Sequence, residues 1–264
     1  MSRLIDKLKQ VSNTASQPIG FRSAKAAAPK PQMILIASLT HEGNTEIPTD
    51  YITGADAVLI PATKSISEAR IWQKEMQSLP DIPWGEWIED TKRQEIATLI
   101  KNGCDFLVFP ASSKVLTIPE NEKIGKVLQL ASSLNEGLLR TVGQLPVDAV
   151  LVIAEDGEER FLTWHQLMLL QRLAALSTKP VLVSAPPDAT IGELKTLWEA
   201  GVDGVVIEVS SRQPKERIGE LRQAIEEFDA HPPHRRGKKE ALLPYVSEKA
   251  EAAAELEEEE DDDE

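Results

Sequence analysis

The chain has 264 residues, is 41% hydrophobic and 27% charged, and carries a formal net charge of −14. That length and apolar fraction suffice for a sizeable buried core and exclude a wholly disordered, collagenous or disulfide-rich chain. An acidic body repels phosphates, so nucleic acid is not an expected partner, and no apolar run nears the roughly 20 residues that span a bilayer, so no membrane segment is expected either.

The first 31 residues hold six basic side chains against the single acid Asp6, and QPIGFRSAKAAAPKPQ has the Ala and Pro content of a linker. Residues 1–31 therefore read as a basic N-terminal arm, with Ile19 and Phe21 as apolar points that can anchor it. The opening MSRLIDKLKQ lacks the apolar core of a secretory signal, and the lone Cys104 has no internal partner, so a cytoplasmic location is expected.

From Pro31 to Asp229 short apolar runs alternate with helical stretches. The runs are MILIASL (33–39), AVLIPA (57–62), WGEWIE (84–89), FLVFPA (106–111), LLRTVG (138–143), AVLVIA (149–154), PVLVSA (180–185) and GVVIEV (204–209). Most are apolar at nearly every position, which is what strands covered on both faces require, and that is the signature of a parallel sheet under helices. Helical periodicity marks 65–79, 91–103, 121–134, 163–176, 190–201 and 214–228, and Thr190 with Glu193 has capping-box spacing. The first and fifth connections are short, 40–56 with room for at most a turn or two and 144–148 with none for a helix, so at least one crossover helix is expected to be missing. GADAVLIPA, GCDFLVFPA, PVDAVLVIA and GVDGVVIEV repeat a turn residue, an aspartate and an apolar strand, placing Asp56, Asp105, Asp148 and Asp203 at strand beginnings. Eight strands with a two-strand period predict a compact α/β fold, a (β/α)8 barrel over 32–230.

The tail 231–264 starts basic, with Arg235, Arg236, Lys238 and Lys239, and ends in eight consecutive acids, Glu257 to Glu264. Such a run repels itself and cannot form a core, so both tails are expected to be disordered, and either can recruit a protein partner.

PVLVSA, then the helix TLWEA, then GVDGVVIEV resemble the seventh and eighth units of TIM barrels, especially the phosphate-binding barrels of biosynthetic metabolism. The resemblance implies glycine-rich turns after those two strands, where backbone amides grip a phosphate. Here the turns read SAPPDAT and EVSSRQP, without glycine and with proline in place of amide donors, so no phosphate or flavin site of that type is expected.

In a barrel the working residues lie at the C-terminal ends of the strands. Glu86, Arg140 and Glu208 fall inside predicted strands, where a charge needs a partner, so an inward-facing set predicts Arg140 holding a small anionic metabolite while Glu86 or Glu208 exchanges protons. A structural ion-pair network filling the barrel is the competing reading. His41, Lys64, Lys114 and Ser184 follow or end strands and are the predicted substrate-binding residues. No H-x-H, H-E-x-x-H, Walker, G-x-S-x-G or Rossmann pattern occurs, so neither metal nor cofactor is expected. The functional expectation is a lyase or isomerase acting in the barrel mouth. The alternative is a noncatalytic barrel that serves as a partner-binding or scaffold protein through its charged tails.

Overall fold

The structure, a computed structural model, describes residues 2–12, 32–39, 51–62, 72, 76, 82–89, 92–119, 123–131, 136–153, 161–209 and 214–228. Eight strands, β1 (Ile34–Leu39), β2 (Ala57–Ile60), β3 (Trp84–Trp87), β4 (Phe106–Pro110), β5 (Gly125–Ala131), β6 (Ala149–Ile153), β7 (Val181–Ala185) and β8 (Gly204–Val209), pair in parallel, each with the next. β8 returns to β1, with Ile34 opposite Gly204 and Ser38 opposite Glu208, so the sheet closes into a TIM barrel. The described helices are α1 (Arg3–Ser12), α2 (Arg93–Lys101), α3 (Glu136–Val142), α4 (Trp164–Leu176), α5 (Ile191–Glu199) and α6 (Arg217–Glu226). Trp72 and Met76 are buried helical residues of the β2–β3 connection.

Alternation along each strand divides the core in two. Ile34, Ile36, Leu59, Phe106, Val108 and Leu151 fill the lumen, whereas Leu35, Val58, Leu107, Phe109 and Val150 face the helices. The lumen is therefore packed rather than hollow through most of its length, as in other barrels of this kind.

Seven of the eight expected strands stand where the apolar runs place them. The fifth does not: LLRTVG lies mostly in α3, and the fifth strand is GKVLQLA, from a stretch whose periodicity suggests a helix. Ile124, Val127, Leu128 and Ala131 satisfy a helical stripe as well as a strand. Gly125 decides the matter. Inside a helix it would only weaken it, whereas in β5 it faces the lumen where a Cβ would sit 2.7 Å from Ile5 Cγ1 and 2.8 Å from Ser2 Oγ. The short segment 144–148 is then the ordinary turn from α3 into β6. Among the described residues the β4–β5 connection has no α-helix but a 3-10 turn at Val115–Thr117, and residues 51–56 of the β1–β2 connection likewise hold no α-helix.

The repeated aspartates work at the N-terminal end of the barrel, away from its mouth. Asp56, Asp148 and Asp203 each donate a backbone N–H to the carbonyl of Leu35, Lys126 and Val181, at 2.7–2.8 Å. Each then accepts the N–H of that same residue on its carboxylate at 2.9 Å, closing the first rung between an even strand and the odd strand before it. Asp105 departs from this pattern. Its carboxylate takes Ser2 Oγ and the N–H groups of Arg3 and Leu4 at 2.8–3.0 Å, so it caps α1.

Composition alone assigns 1–31 to an arm, yet residues 3–12 form a helix that packs on the barrel. Leu4, Ile5, Leu8 and Val11 are buried in the lumenal cluster beside Ile34 and Phe106. Spacings of three and four put them on one face, a stripe masked in the sequence by the surrounding basic residues. Lys7 Nζ bonds the Asp56 carbonyl at 3.1 Å, so α1 spans the bottom of the barrel between the heads of β2 and β4. Arg222 of α6 also binds the Asp56 carboxylate and donates to Gly54 O and Met33 O. Residues 13–31, with Ile19 and Phe21, and the tail 229–264 lie outside the described residues. Among the described residues no helix is long and apolar enough to cross a membrane.

Candidate functional site

Continuing the inward series past the packed lumen leads to the mouth. After Ile34 and Ile36 comes Ser38; after Val206 comes Glu208; after Leu182 comes Ser184; after Val127 comes Gln129. Ser38, Ser184 and Gln129 are half-buried and Glu208 is exposed, so four polar side chains ring the C-terminal end of the barrel. Ser38 and Glu208 are register partners, which puts their Cα atoms about 4.8 Å apart. Trp87 and Ile153 also belong to the inward set at this level and pack down on the lumenal core, and Pro110, the register partner of Gln129, continues the inward series of β4.

Of the expected catalytic trio only Glu208 reaches this mouth. Glu86 is 5% exposed on β3, but it shares its side of the strand with Trp84 and its register partner on β4 is Leu107, both helix-facing. It therefore lies under the helical coat beside Cys104. Burial first, and then the negative charge of Glu86, push the Cys104 thiol well above its ordinary value, and its Sγ donates to Phe106 O at 3.2 Å. Cys104 is accordingly an inert core thiol. Arg140 sits on the exposed side of α3 rather than in a strand, because the segment expected to be β5 is helical. A shared cavity of Glu86, Arg140 and Glu208 does not form.

The substrate-binding residues divide differently. Ser184 lies at the mouth as expected, and Lys114 is exposed just before the 3-10 turn that follows β4. His41 and Lys64 lie outside the described residues. Gln129 could not be found from a helical reading of its segment, although the alternation Gly125, Val127, Gln129, Ala131 carries the signal. Among the described residues no group of three His, Cys, Asp or Glu side chains could hold a metal ion.

A cavity opens beside the mouth, between the ends of β5–β7 and the start of α4, with about 590 Å³ of unfilled space including its opening. Leu130, Val152 and Val183 form its floor, Leu169, Leu170 and Leu173 of α4 its wall, and Phe161 with Leu162 its upper edge. Ser184 and Gln166 are its polar lining residues. Gln166 closes a capping box at the head of α4, accepting the Thr163 N–H at 2.8 Å while Thr163 Oγ1 accepts the Gln166 N–H at 3.3 Å. Leu162 has a φ of 58°, a left-handed conformation that is rare and strained for leucine.

No family model matches the sequence, and no curated protein matches it. Among solved structures, the chain is similar to the tryptophan synthase α-subunit of the hyperthermophile Pyrococcus furiosus. One mutant form aligns with a TM-score of 0.56 at 17% identity, covering 74% of this chain and 96% of that one. Another aligns with a TM-score of 0.59 at 14% identity over the same shares. A third structure of that subunit, from a crystallographic and calorimetric study, gives 0.58 at 14%. At this level of identity the likeness is one of fold.

Proposed function

We propose that the protein is a lyase or isomerase acting on a small metabolite at the C-terminal mouth of the barrel, with Glu208 as the proton-exchanging group. The observation that carries this reading is the position of Glu208: an inward-series carboxylate at the end of β8, beside Ser38 and on the same rim as Ser184 and Gln129. A carboxylate so placed takes a proton from a bound substrate and returns it to another atom, as isomerisation requires, or to a leaving group, as elimination requires. The serine hydroxyls and the Gln129 amide orient the substrate's polar atoms. Lys114 is the described cation nearest the role foreseen for an anion-binding residue, and His41 and Lys64 retain that role as proposals. The neighbours of similar fold are subunits of a synthase, which supports a catalytic barrel by analogy. The test is Glu208→Gln in the full chain against a panel of lyase and isomerase substrates. A loss of about 10²–10⁴ in kcat with KM little changed supports the reading, and undiminished turnover overturns it.

A second reading, a noncatalytic barrel that binds protein, is favoured by Trp164 and Met168, which are 82% and 60% exposed one turn apart on α4. Its simplest partner is a second copy of this chain. Sedimentation that is concentration-dependent, and becomes monomeric in W164S/M168S, supports it, and monomeric wild-type protein sinks it.

A further inference from the structure

The space under α4 joins the mouth at one residue. Ser184 lines the cavity and also belongs to the inward series, and its register partner Val206 lies two positions before Glu208 on the same face. Sheet geometry then separates the Cα atoms of Ser184 and Glu208 by about 7–8 Å, within the span of one small molecule. We propose that this cavity is the subsite for an apolar group of the substrate, an aryl or branched alkyl unit whose uncharged carbonyl or hydroxyl head bonds Ser184. The assignment rests on the reading of Glu208 as the reacting group and adds the chemical class of what it acts on.

Two features set the class. The floor and wall are aliphatic throughout, from Leu130, Val152 and Val183 to Leu169, Leu170 and Leu173, so water gains nothing there and an apolar group does. The head group meets Ser184 at the edge of an otherwise apolar lining, where an ionised head would lose its water with no paired charge among the lining residues. Arg140, the group expected to hold an anionic metabolite, lies on the exposed side of α3, away from this subsite. The upper edge adds an independent sign: Leu162 is held left-handed directly over the cavity, and strain of this kind persists at ligand clamps where the surrounding structure enforces it.

Binding is tested apart from turnover, by calorimetry and thermal shift on the full chain with toluene, benzyl alcohol and phenylacetate. The expected order is benzyl alcohol first, toluene next and phenylacetate at least tenfold weaker. Leu169→Trp, which fills the space, should abolish binding of all three while keeping the melting temperature and circular dichroism of the wild type. Ser184→Ala keeps the fold even if the larger change does not, and should weaken benzyl alcohol while leaving toluene unaffected. No saturable binding of any probe at about 10 mM, or binding indifferent to both substitutions, overturns the subsite. Glu208→Gln separates the two readings. Probe binding without any turnover attributable to Glu208 sinks the catalytic reading alone, and Glu208-dependent turnover without probe binding sinks the subsite alone.

Discussion

The carboxylate of Asp105 accepts the backbone N–H of Leu4 at 3.0 Å, tying the head of β4 to the first turn of a helix 101 positions earlier in the chain. With Ser2 Oγ and the Arg3 N–H it gathers three donors, so it satisfies helix-end amides that the closed bottom of the barrel would otherwise shut away from water. Asp105→Ala is expected to destabilise the protein by about 1–3 kcal/mol in urea unfolding. Amide exchange should quicken first at Leu4, Ile5 and Leu8, while β5 to β8 stay protected. Uniform exchange across the barrel would mean that α1 does not depend on this cap.

Gly125 faces the same helix from the other side. A methyl there would meet Ile5 and Ser2 below 3.0 Å, so α1 must lift or β5 must shift. Gly125→Ala should cost about 1–3 kcal/mol and couple to substitutions in α1. In the double variant with Ile5→Ala, part of that loss should return, because the smaller side chain removes one of the clashes. Additive losses in the double-mutant cycle would show that the two sites do not share this space.

These two residues also explain what could be read from the letters. Buried parallel strands such as AVLVI and VLVSA announce themselves because both faces need apolar side chains, and Asp56, Asp148 and Asp203 announce their even strands because each closes a rung on the strand before it. Thr190 and Glu193 likewise form the capping box their spacing implies, with Glu193 Oε2 accepting the Thr190 N–H at 2.7 Å. β5 was hidden because Val127 and Leu128 suit either period, and its real signature, Gly125, gains meaning only when α1 is packed against it. Glu86 failed for a different reason. Its strand was found, but a strand four residues long does not reveal which parity is lumenal until its neighbour Leu107 is known to face the helices. Site geometry in a barrel depends on that single binary choice for every strand, which is why Glu208 survives as a mouth residue and Glu86 does not.

Arg140 and Glu86 give the complementary expectation. Arg140→Ala, on the exposed side of α3, should shift stability by no more than about 0.5 kcal/mol and leave probe binding at the mouth unchanged. Glu86→Gln should also leave probe binding unchanged while making the Cys104 thiol easier to ionise, since a neighbouring negative charge is removed. A tenfold loss of binding in either variant would return these residues to the site.

The buried Cys104 thiol supplies a pH dependence with a definite sign. Its folded value is raised above the ordinary 9.0, by burial first and by Glu86 second. Below pH 9 both the folded and the unfolded chain keep the proton, so the stabilising contribution is complete. Above it the unfolded thiol ionises and the folded one does not, and stability falls by up to about 1.4 kcal/mol per pH unit. Lysines and tyrosines titrate in the same range, so the contribution is isolated by comparison with Cys104→Ala, whose stability relative to wild type should improve steadily between pH 9 and 10.5. In parallel, the native thiol should resist a disulfide reagent at pH 8 and react once urea unfolds the chain. A stability difference that stays flat with pH, or rapid labelling of the native protein, would place Cys104 at the surface rather than beneath the helical coat.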